Sequence, residues 1–152
     1  MFRILIIEDN PADAQILQMA LERAGVPLEI IHLDDGAKAM EYLSAGKSSH
    51  CDLVLLDLNL PRLSGFEILE RIRASEELAG LPVVVTSGSA DAADVDRCYR
   101  AGANSYICKP AHLVDILTAA ARIVAYWSQC VTLPSGSSAA SPVARPAGNS
   151  QA

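Results

Sequence analysis

The segment Asp52-Leu-Val-Leu-Leu-Asp57 constrains the chain more than any other. Four aliphatic residues between two carboxylates show no polar alternation, the pattern of a strand buried on both faces. A loop of turn formers follows at once, Leu58-Asn-Leu-Pro-Arg-Leu-Ser-Gly65. Such a strand belongs to a sheet with helices on both sides, and Asp57 then lies at its carboxyl edge. Open α/β sheets bind and react at that edge. An acid there binds a cation, acts as a nucleophile, or simply ends a strand.

The same unit recurs along the chain. Strands are predicted over Arg3–Glu8, Leu28–Leu33, Asp52–Asp57, Val83–Ser87 and Asn104–Cys108. Between and after them lie helical patterns. The first opens at Asn10-Pro11, a side-chain cap followed by a proline suited to the first turn. It carries Ala14, Leu17, Leu21 and Ala24 at helical spacing and stops at Gly25. A short helix carries Ala37, Met40 and Leu43. Further helices are predicted over Phe66–Ala74, Asp91–Ala101 and His112–Trp127. Strands joined through helices imply a parallel sheet with right-handed crossovers. Five of them fit a flavodoxin-like, doubly wound (βα)5 fold of order 2-1-3-4-5, whose switch point lies between strands one and three. Glu8-Asp9 and Asp57 then become neighbours.

Composition narrows the function. With a formal charge of −6 and no basic cluster, the chain lacks the positive stripe that nucleic acid or an anionic membrane would need. The apolar start is interrupted by Glu8-Asp9, too early for a signal peptide or a membrane span, so a cytoplasmic protein is expected. Cys51, Cys98, Cys108 and Cys130 have no metal-type spacing and read as reduced thiols. Residues 1–130 form one domain. Residues 131–152 turn to Pro, Ser, Gly and Ala, a tail too poor in large apolar groups to fold alone. After Lys109-Pro110 there is one helix and this tail, so no output domain is expected.

The strand ends carry the chemistry. Glu8-Asp9 end the first strand, Asp57 the third and Thr86-Ser87 the fourth, while Lys109 follows the fifth. Carboxylates about 4 Å apart repel by several kcal/mol per pair at an effective dielectric near 20. A divalent cation and an ammonium relieve that repulsion, and an all-oxygen donor set suits Mg²⁺. Carboxylate, Mg²⁺, lysine and hydroxyl together supply a nucleophile and charge stabilisation for phosphoryl transfer to an aspartate.

These residues, with Pro61, Gly65, Gly88, Tyr106 and Pro110, make the chain from Met1 to about Trp127 resemble the receiver domain of two-component response regulators. The resemblance implies that Asp57 accepts a phosphoryl group from a histidine kinase in a reaction that requires Mg²⁺. Asp9 would ligate the metal directly, Glu8 through water, and Asn59 by its backbone carbonyl. Lys109 and Ser87 would hold the phosphoryl oxygens, across a cis Lys109-Pro110 bond. Ser87 rather than Thr86 is indicated because it stands thirty residues after Asp57 and twenty-two before Lys109. Gly88 would let the loop close. Tyr106 would swing inward on activation.

Asn10-Pro-Ala-Asp13, Asp57-Leu-Asn-Leu-Pro61, Ala103-Asn-Ser-Tyr106 and Tyr126-Trp127 with Val131-Thr-Leu-Pro134 are similar to single-domain regulators paired with bacterial phytochromes. That similarity implies a light-sensing histidine kinase as partner. It also implies a homodimer through helix four, strand five and helix five, with Tyr126 and Trp127 as contacts. The same domain could serve as a phosphate shuttle or a constitutive interaction module. A haloacid-dehalogenase-type hydrolase would carry its nucleophile on the first strand and a second acid two residues on, where Asn59 stands here. A flavodoxin-like cofactor binder would need a phosphate-cradling loop after the first strand, and Glu8-Asp9 would repel the phosphate.

Overall fold

The computed structural model describes residues 1–47 and 51–134; residues 135–152 of the expected tail lie outside it. Strands β1 (Phe2–Ile7), β2 (Leu28–Leu33), β3 (Leu53–Leu56), β4 (Val83–Ser87) and β5 (Ser105–Cys108) alternate with five helices. These are α1 (Pro11–Glu22), α2 (Gly36–Tyr42), α3 (Gly65–Ala74), α4 (Ala92–Arg100) and α5 (Leu113–Ala125). All strand pairs are parallel, in the order β2-β1-β3-β4-β5.

The period-2 alternation of the strands divides the core into two layers. Leu5, Ile7, Val54, Leu56, Val83 and Val85 face one way and pack with Ile68, Leu69 and Ile72 of α3 and Cys98 of α4. Ile4, Ile6, Leu53, Leu55 and Val84 face the other way and pack with Ala20 and Leu21 of α1 and Ala120, Ile123 and Val124 of α5. Both faces are covered, which is why these runs carry no polar alternation.

Local signals place the helix starts. Asn10 Oδ1 accepts the N–H groups of Ala12 and Asp13 at 3.0 and 3.1 Å. Asp35, Ser64 and Asp91 cap α2, α3 and α4 in the same manner. Two expectations change. The pattern expected as one helix to Trp127 ends as regular helix at Ala125 and continues as a π-type turn over Tyr126–Cys130, closed by Val131 N–H on Tyr126 O at 3.0 Å. The first residues of the expected tail are packed: Leu133 joins the α1/α5 layer, and a methyl group at Gly80 would touch the Pro134 ring at 3.8 Å. Among the described residues no helix is long and apolar enough to cross a membrane.

Candidate functional site

Glu8 follows β1, Asp57 follows β3, Ser87 ends β4 and Lys109 follows β5, so the sheet itself brings them to one edge. The hydrogen-bond ladder reaches these residues: Asp57 N–H bonds Ile7 O at 3.0 Å and Lys109 N–H bonds Ser87 O at 2.7 Å. Glu8, Asp57 and Ser87 are buried, whereas Asp9 is exposed. One carboxylate oxygen from each of Glu8, Asp9 and Asp57 lies within 4.8 Å of the others.

Lys109 Nζ sits among acids, 2.6 Å from Glu8 Oε2, 3.3 Å from Asp13 Oδ2 and 3.5 Å from Asp57 Oδ2. Burial works to lower its pKa, but the Glu8 hydrogen bond and the charges of Asp57, Glu8 and Asp13 prevail and raise it. It is therefore an ammonium at neutral pH. Burial also pushes the Glu8 carboxyl above its ordinary value. The Asp57 charge adds to that rise, against the bonds from Lys109 and from Asn10 N–H. One cation thus serves three nearby carboxylates, and Asp9 is a fourth.

The deficit has a definite address. Asp57 Oδ1 is buried and accepts no hydrogen bond. A buried polar atom without a partner is rare and costs about 1–3 kcal/mol. Its neighbours are hard oxygen donors, so a divalent cation held by Asp57, Asp9 and Glu8 would satisfy it.

Thr86 and Ser87 separate as alternation requires. Thr86 lines a cavity between α1 and α5 with Ile16, Ile107 and Ile116. Ser87 turns to the other layer, and its Oγ accepts Ser89 N–H at 3.2 Å rather than bonding Asp57. A methyl group at Gly88 would meet nothing within 4 Å. Tyr106 is half-buried, and its hydroxyl donates to Ser89 O at 2.8 Å. It is thereby tied to the loop that begins at Ser87. Asn59 is exposed in the loop after Asp57. Tyr126 and Trp127 lie away from this edge, their rings meeting edge to face with centroids 5.4 Å apart.

The Lys109-Pro110 bond differs from expectation. Among the described residues no peptide bond is cis. Trans is the isomer a tertiary amide still favours by about 0.5–1 kcal/mol. Asp13, an acid in the first turn of α1, reaches Lys109 as well. Its place one helical turn beyond Asp9 is the signal that returns it to the strand-end side, over Lys109.

Comparison with known proteins agrees with this geometry. FilR2 of Methanothrix harundinacea, a probable methanogenesis regulatory protein, is 40% identical over 129 residues, covering 83% of either chain. The response regulator Rcp1 of Synechocystis is 36% identical over 135 residues, covering 86% of this chain and 92% of that protein. The Mn²⁺-bound crystal structure of Rcp1 superposes with a TM-score of 0.79, covering 88% of this chain and 99% of that one. The phosphorylated cyanobacterial phytochrome response regulator RcpA is 38% identical, with a TM-score of 0.81 and the same coverage. Residues 4–121 match the response regulator receiver domain, and with acids, lysine and hydroxyl gathered at the carboxyl edge of a 2-1-3-4-5 sheet, the chain belongs to that family.

Proposed function

We propose that Asp57 is the phosphoacceptor of this receiver domain and that a sensor histidine kinase is the donor. A carboxylate oxygen of Asp57 attacks the phosphorus of the kinase phosphohistidine. The P–N bond breaks, its electron pair leaves with the imidazole, and an acyl phosphate remains on Asp57. Attack by water on phosphorus later releases inorganic phosphate and restores the carboxylate, so the chain's own residues serve both steps. The observation that carries this reading is the unpartnered, buried Asp57 Oδ1 beside the Lys109 ammonium.

Lys109 would leave Glu8 and Asp13 to meet the new phosphoryl oxygens, and the Ser87 hydroxyl would donate to another. Glu8, Asp9, Asp57 and the Asn59 backbone carbonyl would hold Mg²⁺. When bound, the ion supplies neutralising charge for the phosphoryl oxygens. Ser87 moving toward Asp57 would draw on the loop that Tyr106 holds through Ser89 O, which supports Tyr106 as the switch.

The likeness to a phytochrome response regulator supports a bacteriophytochrome-type kinase in the cytoplasm as the partner. A homodimer through α4, β5 and α5 would use the exposed Tyr126 with Trp127 at the helix end. The test is incubation of the full chain with a small phosphoryl donor and Mg²⁺, followed by intact mass and gel filtration. One added phosphoryl group is expected in the wild type and none in Asp57→Ala. Equal incorporation in both would overturn the assignment. A monomer's elution volume with and without phosphorylation would remove the dimer alone.

A further inference from the structure

The loop after Asp57 and the loop before α2 are joined in a manner their sequences do not announce. Arg62, in the loop after Asp57, has φ +65° and is the one non-glycine residue in the left-handed region among those described. That conformation is unfavourable for a long side chain and persists where the surroundings impose it. The surroundings here are Asp35 and Gly36, at the start of α2. Arg62 Nη2 lies 2.7 Å from Asp35 Oδ2, and the Asp35 side chain is 5% exposed. Asp35 Oδ1 is already committed, accepting the N–H groups of Ala37 and Lys38 at 2.7 and 3.2 Å. Next to it, a Cβ on Gly36 would fall 2.5 Å from Leu63 O, so the two backbones touch.

Both ends of the clamped loop meet at Asp57. It leaves through Leu58 and returns at Gly65, whose N–H bonds Leu58 O at 3.0 Å. A Cβ on Gly65 would collide with the Asp57 carbonyl oxygen. The start of α2 therefore bears on a loop that encloses the backbone of the nucleophile. We infer that Asp35 and Arg62 are positioning residues that hold the Asp57 loop in the geometry a divalent cation requires. The inference rests on the metal site proposed above. Neither residue is part of the Glu8, Asp9 and Asp57 cluster. Their action is indirect, as with other groups that orient metal ligands.

Calorimetric titration of the full chain with Mg²⁺ tests this, together with thermal unfolding of the metal-free protein. Arg62→Ala keeps the strained backbone and removes the clamp, and its affinity is expected to fall roughly tenfold, the low end for outer-shell partners. Asp35→Asn retains a good helix cap, so it stays folded and readable if Arg62→Ala does not. It is expected to lose affinity to the same extent. The double variant is expected to lose no more than either single one, as a shared interaction requires. Arg62→Lys, which restores a cation facing Asp35, is expected to recover most of the affinity. A general loss of stability would not produce this pattern. Affinities equal to wild type, additive losses in the double variant, or no recovery with lysine would each overturn the clamp. A wild type that binds no Mg²⁺ would overturn the metal site, and the clamp's role with it.

Discussion

The two ends of the sheet treat buried charge in opposite ways. At the amino end, Arg73 of α3 is half-buried and makes four hydrogen bonds. Its Nε donates to Gly102 O at 2.9 Å, and Nη1 to Ala79 O and Leu81 O at 2.9 and 2.7 Å. Its Nη2 donates to Asn104 Oδ1 at 3.0 Å, and that oxygen also receives Val83 N–H at 2.8 Å. Desolvation lowers its pKa. At the carboxyl end, Asp57 Oδ1 has no partner and several carboxylates share Lys109. The amino end is complete in itself. The carboxyl end is complete only with something bound, and that asymmetry separates a structural network from a reactive one.

Substitutions can break this contrast at either end. The largest effect is expected from Arg73→Ala, which takes the side-chain donor from three carbonyls at once. Unfolding in urea should show a loss of about 3 kcal/mol. The phosphoryl incorporation of the remaining folded protein should be unchanged. A loss below about 1 kcal/mol would mean that water replaces the guanidinium without cost.

Asp57→Asn should act in the reverse direction. It removes a buried charge that repels Glu8, at the expense of a weaker attraction to Lys109. Metal-free stability is expected to rise by about 1 kcal/mol while Mg²⁺ no longer stabilises the chain. A metal-free variant less stable than wild type would show that Lys109 already balances the site.

The effect that is smallest at neutral pH concerns two core thiols. Burial pushes Cys51 up to about 12 and Cys98 up to about 11. Unfolded thiols ionise near their ordinary value of about 8.5, so above that pH the unfolded chain loses protons first. Stability therefore falls as pH rises from about 9 toward these folded values. Replacing both cysteines by alanine should flatten the alkaline decline in urea midpoint. An identical slope would assign the decline to other groups.

The reach of sequence reading follows the same division. β2 and β4 lie over the residues that their aliphatic runs indicate, and Asp57 stands one residue past β3. Period and turn chemistry are local properties, and the parallel order then brings Glu8, Asp9, Asp57 and Lys109 together. Alternation also separates Thr86 from Ser87 correctly. Contacts between distant segments leave no such trace. Arg73 reads as an ordinary basic residue in the last turn of a helix, yet its partners lie 6 to 31 positions away. The Arg62–Asp35 pair is equally silent, because it depends on loops whose mutual position only the folded core sets. The isomer of the Lys109-Pro110 bond came from family likeness alone, and the structure reverses that expectation too.

The strand order has a further consequence for how the molecule is made. β1 emerges first from the ribosome, yet its two neighbours are β2 and β3. Until residue 56 has left the ribosome, one edge of a largely apolar strand stays open to other chains. Asp57 is the next residue. Closing the adhesive edge and bringing the nucleophile beside Glu8 are thus one event, so a nascent chain that can still aggregate at this edge has no phosphoryl site, and one that has the site has already covered the edge.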